Sequence, residues 1–240
     1  METQRRFLTA DWRHLLMLNY PVDPAILTPY LPRGTEIDYF QGTAFVSLVG
    51  FRFLNTRVLG VPIPFHRDFD EINLRFYVRH QSAGGWRRGV VFIKEIVPRW
   101  MVTCVARNVY GENYVTRTMR SEIAIPESVN YSWRCRGRWN LLGATIAGEP
   151  MLMPRDSEES FITEHYWGYA GTPSGPTMEY QVEHPRWRLW RATSSNVDID
   201  AASEYTAAFV PFLDRPPSSA FVAEGSAIVV RRGTPVVQSP

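Results

Sequence analysis

Between residues 70 and 79 apolar and polar side chains alternate without a break. Ile72, Leu74, Phe76 and Val78 fall on one side, and Glu71, Asn73, Arg75, Tyr77 and Arg79 on the other. A period of two is that of a β-strand with one face on a core. Beyond the turn residues Ser82-Ala83-Gly84-Gly85, the stretch 89–97 is apolar on both faces, which predicts a strand covered on both sides. Residues 70–97 therefore read as a hairpin. A second pair is predicted at 36–40 and 43–53, joined by Gln41-Gly42 as a tight turn. Further strands are predicted from Tyr114 and over 131–139, 141–146, 178–182 and 227–232.

Helices punctuate this pattern. Asp23 before Pro24 forms an N-cap with proline at the first helical position, and Pro32 and Gly34 stop the helix. Asp156-Ser157-Glu158-Glu159 caps a second helix, and a third begins near Asp200. Pro98 opens a predicted helix through Val109, with Gly111 at its C-cap position. The prolines of Gly60-Val61-Pro62-Ile63-Pro64 keep that segment out of a central ladder, so it is expected as an exposed, lid-like loop. The segment 171–176 is a loop rather than a linker. The sum is a single domain over residues 1–240, mainly antiparallel β with flanking helices, in the α+β class.

Composition narrows the function classes. With 45% hydrophobic and 13% aromatic residues the chain has material for a sizeable core, and a net charge of +2 names no partner. Cys104 and Cys135 form no CxxC pair, which excludes a zinc knuckle or thioredoxin-type site and leaves two buried thiols. The first residues are too polar for a secretory signal, and the uncharged run 40–51 falls short of the about 20 residues a membrane helix needs, so a cytoplasmic location is expected. Histidines at 66, 165 and 184 stand near carboxylates without ligand spacing and read as turn or surface residues; no metal or cofactor is expected. There is neither a glycine-rich nucleotide loop nor a nucleophile elbow around Ser218 and Ser219. Residues 133–139 and 186–191 interleave arginine with tryptophan as single-stranded nucleic-acid surfaces can. Strand alternation explains the first equally well, with Trp133, Cys135 and Trp139 inward, so no nucleic-acid partner is expected.

Lys94 is the only lysine among 26 lysines and arginines. A buried amine shifts its pKa readily and can attack a carbonyl, whereas a guanidinium cannot. A chain that encodes its surface cations as arginine would also leave one lysine by accident. Lys94 and Glu95 point to opposite faces, and a one-residue slip in register exchanges which of them shares a face with Glu71. The row Glu71, Asn73, Arg75 is either the wall of a pocket, with the guanidinium gripping a carboxylate, or a solvent-facing strand.

Four blocks carry a resemblance: Pro21-Val22-Asp23-Pro24, residues 43–49, residues 71–78 and residues 217–226. Together they resemble the YqjF-like family of unknown function, which is similar in turn to acetoacetate decarboxylase. The resemblance implies an antiparallel β-barrel or sandwich enclosing a pocket. In the decarboxylases an arginine, a tyrosine and a glycine similar to those in residues 106–115 precede two adjacent lysines, the first of which forms an imine with a β-keto acid. Tyr114 and Val115 stand at those two positions here. The resemblance therefore implies the pocket and not the decarboxylation, and Lys94, on the preceding strand, does not inherit the role.

Arg107, Tyr110, Tyr114 and Arg117 surround that place. Tyrosines there can orient a carbonyl or act as acids and the arginines can neutralise a carboxylate, or all four serve helix-end packing and surface charge. The expectation is a pocket protein that binds a small organic acid or carbonyl compound, as an enzyme through acid/base chemistry. Glu71 is its base or acid, Arg75 and Arg107 its anion clamp, Tyr114 its donor, and Asn73, Tyr110 and Arg117 its further contacts. Two alternatives stand beside it: an imine-forming lyase or aldolase using Lys94, and a non-enzymatic binding or assembly protein. Substrate identity and oligomeric state are not readable from these residues.

Overall fold

The structure, a computed structural model, describes residues 5–62, 67–98, 114–171 and 174–236. Its strands are β1 (Arg6–Val22), β2 (Glu36–Ile37), β3 (Ala44–Val58), β4 (Val61–Pro62), β5 (Phe69–Ser82), β6 (Gly85–Val97), β7 (Tyr114–Thr116), β8 (Met119–Ala124), β9 (Ser128–Cys135), β10 (Arg138–Ile146), β11 (Trp167–Ala170), β12 (Met178–Glu183), β13 (Leu189–Asp198), β14 (Ser219–Arg231) and β15 (Thr234–Pro235). Hydrogen bonding runs β12–β11–β6–β5–β3–β1–β14 and returns to β12 through Val182 with Val230 and Glu183 with Val229. The ring so closed is mostly antiparallel, with β11 and β7 joining β6 in parallel. From β14 the path continues through β13, β10, β9 and β8, which lie over the ring as a second layer.

Two apolar layers follow. Leu16, Leu18, Leu48, Ile72, Leu74 and Phe76 look outward from the ring and pack with Tyr131, Trp133 and Leu142 of the second layer. Leu15, Met17, Val49, Phe51, Tyr77 and Phe221 look inward. A strand between the two layers must be apolar on both faces, which is why β1 reads Leu15-Leu16-Met17-Leu18. The layers approach closely at Gly50 of β3, where an added Cβ would lie 2.6 Å from Tyr131 Cδ2 and 3.2 Å from Leu142 Cδ2. Gly50→Ala is accordingly expected to cost about 1–3 kcal/mol through overpacking. The urea unfolding midpoint reads this out, and an unmoved midpoint would show that the layers can part at no cost.

Several expectations meet the structure directly. The hairpin of residues 70–97 forms as β5 and β6, and Gln41 and Gly42, with φ of 48° and 83°, make the tight turn between Phe40 and Thr43. The helix after Asp23 is a 3-10 helix, Pro24–Tyr30, with Asp23 Oδ1 accepting from the Ala25 N–H at 2.8 Å. Helices Glu158–Thr163 and Ala201–Glu204 carry the expected caps, Ser157 and Asp200. Others differ. The strand expected over 131–139 ends at Cys135, because Arg136 and Gly137, with φ of 47° and 88°, form a two-residue turn. That turn moves Trp139 to the exposed side, under the Arg120 guanidinium, while Trp133 and Cys135 are buried as expected. Strands β1, β11 and β13 and the helix Val210–Leu213 have no counterpart among the elements that the sequence pattern predicts. Beyond Pro98 itself, the helix expected through Val109, and Cys104 within it, lie outside the described residues.

Candidate functional site

The polar row of β5 does not face solvent. Glu71 is 2% exposed and Asn73 1%, and both, with Arg75, line a cavity of about 160 Å³ inside the ring. Among the described residues its wall is otherwise mainly apolar and aromatic, including Val49, Phe51, Phe53, Phe92 and Trp187. An engineered apolar cavity of about 150 Å³ holds benzene, so this volume suits a ligand of about six heavy atoms.

Glu71 is held at both oxygens. Asn73 Nδ2 donates to Oε1 at 3.0 Å and the Tyr114 hydroxyl to Oε2 at 3.4 Å. The first contact follows from the strand, since residues two apart share a face. The second follows from β7, whose parallel pairing with β6 sets Tyr114 beside Glu95. Arg75 reaches toward the end of helix Glu158–Thr163, where Nη2 donates to the Ile162 carbonyl at 3.3 Å. Its Nε is buried without a hydrogen-bond partner.

The register of β5 and β6 decides between Lys94 and Glu95. Leu74 pairs with Lys94 but Arg75 pairs with Phe92, so the ladder steps over Ile93 in a β-bulge. The extra residue reverses the alternation. Val90 and Phe92 face the cavity, then Glu95 opposite Asn73 does, and Lys94 turns to the outer layer with Leu74. There Lys94 Nζ donates to Glu204 Oε1 at 2.9 Å and also to the Glu204 carbonyl. Arg117 is drawn to the same carboxylate, Nη2 to Oε1 at 3.5 Å, and the Trp133 indole donates to Oε2 at 3.1 Å. The structure thus brings together Glu71, Asn73, Arg75 and Tyr114, and sets Lys94 and Arg117 apart from them around Glu204. Arg107 and Tyr110 lie outside the described residues.

The cavity also holds residues that the sequence did not single out for it. His184, stacked on Trp187 at 4.0 Å, and His165 both belong to the wall. The burial of His165 corrects the expectation that it sits at the surface, whereas His184 is half-buried in the loop after β12. His165 is buried between Tyr77 and Phe161, with Nε2 3.1 Å from Asp38 Oδ2, an atom that the Arg88 Nε–H also reaches at 2.6 Å.

Burial disfavours the imidazolium and holds the His165 pKa down to about 4, although Asp38 pulls the other way. Asp38 lies below its ordinary value: burial raises it, and the bonds from His165 and Arg88 outweigh that. The unfolded chain takes a proton on this histidine near pH 6.5 and the folded chain does not until about 4, so the unfolded state binds more protons between those values. Stability is therefore expected to fall as the pH drops from about 6.5 to about 4. Urea midpoints across that range check it, with His165→Phe giving a flatter profile; parallel profiles would count against it.

Residues 9–227 match the family DUF2071, described as an uncharacterized conserved protein. The chain belongs to this family. A curated relative of this DUF2071 chain is YqjF of Bacillus subtilis strain 168, described as an uncharacterized protein and 28% identical over 185 residues, which span 75% of this chain and 74% of YqjF. Among solved structures, acetoacetate decarboxylase from Legionella pneumophila superposes with a TM-score of 0.68 at 10% identity, over 99% of this chain and 90% of that one. An acetoacetate decarboxylase-like enzyme from Sphingomonas wittichii RW1 gives 0.67 at 13%, over 98% and 95%. The enduracididine biosynthesis enzyme MppR complexed with pyruvate gives 0.66 at 13%, over 98% and 91%. At these identities the likeness shows the fold, so the DUF2071 chain has the acetoacetate decarboxylase-like fold. Among its described residues no helix is long and apolar enough to cross a membrane, and no three His, Cys, Asp or Glu side chains gather as a metal site.

Proposed function

We propose that the cavity binds a small carbonyl compound or organic acid and that Glu71 moves a proton on it. The observation that carries this is a 2% exposed carboxylate, given a donor at each oxygen, in the wall of a largely apolar cavity. A site with few polar groups in apolar surroundings is what small-ligand recognition uses. Glu71 takes a proton from the carbon next to the carbonyl and becomes a carboxylic acid, while the electron pair moves to the carbonyl oxygen as an enolate. Arg75 Nε, a buried donor without a partner, stabilises that oxygen, and the proton returns to carbon to complete an exchange. The pyruvate-complexed MppR structure supports the ligand class by shared fold alone.

The test is loss of methyl proton signals from pyruvate, acetoacetate or acetone in D2O with catalytic protein, beside calorimetric binding. Exchange with binding supports the proposal. Binding without exchange assigns the cavity to recognition only, and neither, across all three compounds, rejects the site. Lys94 faces away and is tied to Glu204, so borohydride with pyruvate should leave the protein mass unchanged; added mass at Lys94 would replace acid/base chemistry with an imine.

A further inference from the structure

Among the described residues that line the cavity, His165 and Asn73 each have an acceptor buried without a partner, Nδ1 and Oδ1. The first is 7% exposed as a residue and the second 1%. His165 Nε2 meets the Asp38 carboxylate at 3.1 Å, and Asp38, held ionised by Arg88 as well, can only accept. The proton of the neutral ring therefore sits on Nε2 and the lone pair on Nδ1. Asn73 spends its amide N–H on Glu71, which leaves its oxygen as the other open acceptor. A buried polar atom without a partner is costly, and a carbonyl or carboxylate oxygen on the ligand relieves neither, since it too accepts. A ligand donor does. An ammonium group is the poorer choice, because the Arg75 guanidinium lies close enough to His165 to oppose a second positive charge there.

Resting on the cavity assignment above, we infer that the ligand carries a hydroxyl group beside its carbonyl and that His165 Nδ1 accepts the hydrogen bond from this hydroxyl. Asp38 is then a positioning residue, fixing the tautomer that presents a lone pair instead of a proton. The substrate class becomes a small hydroxylated carbonyl compound, and the proton that Glu71 removes is carried by its hydroxyl-bearing carbon.

Hydroxyacetone and 2-butanone are matched probes, since they differ by a hydroxyl in place of a methyl group. Calorimetry on the full chain is expected to give about tenfold tighter binding of hydroxyacetone, the worth of one hydrogen bond that would otherwise be unmade. In His165→Phe that preference should vanish. Ring nitrogen-15 spectra of the wild-type chain supply a readout that does not depend on any variant folding. They should show a protonated Nε2, and an Nδ1 resonance that moves with hydroxyacetone and not with 2-butanone. Asp38→Asn should scramble the tautomer and weaken hydroxyacetone alone. Equal affinities for the two probes, a protonated Nδ1, or an Nδ1 resonance indifferent to hydroxyacetone overturns the hydroxyl assignment and leaves the cavity assignment standing. If neither probe binds while pyruvate does, the hydroxyl assignment alone falls; if pyruvate, acetoacetate and acetone also fail, both fall.

Discussion

Glu71→Gln is expected to slow carbon–hydrogen exchange on a bound ketone by about 10²–10⁴-fold, the usual contribution of a positioned acid or base. Glutamine keeps the shape of the side chain and an oxygen that accepts from Asn73 or Tyr114, so the packing around β5 is retained. It cannot take the proton. The affinity for the same ketone should change little, because the carboxylate acts on the reacting carbon rather than on the oxygen. Arg75→Met makes the complementary change, weakening binding through the loss of the Nε donor with the base still in place. Exchange rates by NMR, read at saturating ketone and beside thermal melts of both variants, separate the two roles. Undiminished exchange in Glu71→Gln at full occupancy would remove this residue from the chemistry.

Lys94→Met is expected to cost about 3–5 kcal/mol of folding stability, the range seen when one partner of a buried ion pair is removed. At about 2–4 °C per kcal/mol for a chain of this size, the melting temperature should fall on the order of 10 °C. The carboxylate side chain of Glu204 is 0% exposed and that of Lys94 17%, so the loss strands a charge that has no route to water. Arg117 at 3.5 Å and the Trp133 indole compensate only in part. Ligand affinity at the cavity should be unaffected, since Lys94 is on the other side of the sheet. Glu204 adds a dependence on acid. Burial raises its pKa, yet the bonds from Lys94 and its other neighbours bring it below the ordinary carboxylate value of 4.5. Its stabilising contribution is thus complete above about 4.5 and is lost as the pH falls through the lower, folded value. A lysine variant that melts with the wild type would show that the ion pair contributes nothing net.

The alternation over residues 70–79 was enough to place Glu71, Asn73 and Arg75 on one face, because a strand allows no other arrangement of that pattern. It could not show that this face is the inside of a closed ring. That fact depends on β12 meeting β14, a pairing between residues nearly fifty positions apart. β1 escaped notice because Asp11, Arg13 and His14 interrupt its apolar run, and only long-range pairing with β3 and β14 makes a strand of it. The turn at Arg136-Gly137 lacks the Asn-Gly or Asp-Gly signal that marks such a turn in sequence. His165 was illegible for a related reason: its partner Asp38 lies 127 residues away, and a histidine next to a glutamate looks like surface until the fold surrounds it.

The bulge at Ile93 has a consequence for how amine chemistry can come and go on this scaffold. Counted in regular alternation from Phe92, the ammonium of Lys94 belongs in the hollow and the carboxylate of Glu95 outside it; the stepped-over residue reverses both. A descendant that straightened this strand without altering a single side chain would trade an acid for a nucleophile in its pocket. Reactivity in such a lineage is then a property of strand geometry as much as of which amino acids the gene specifies.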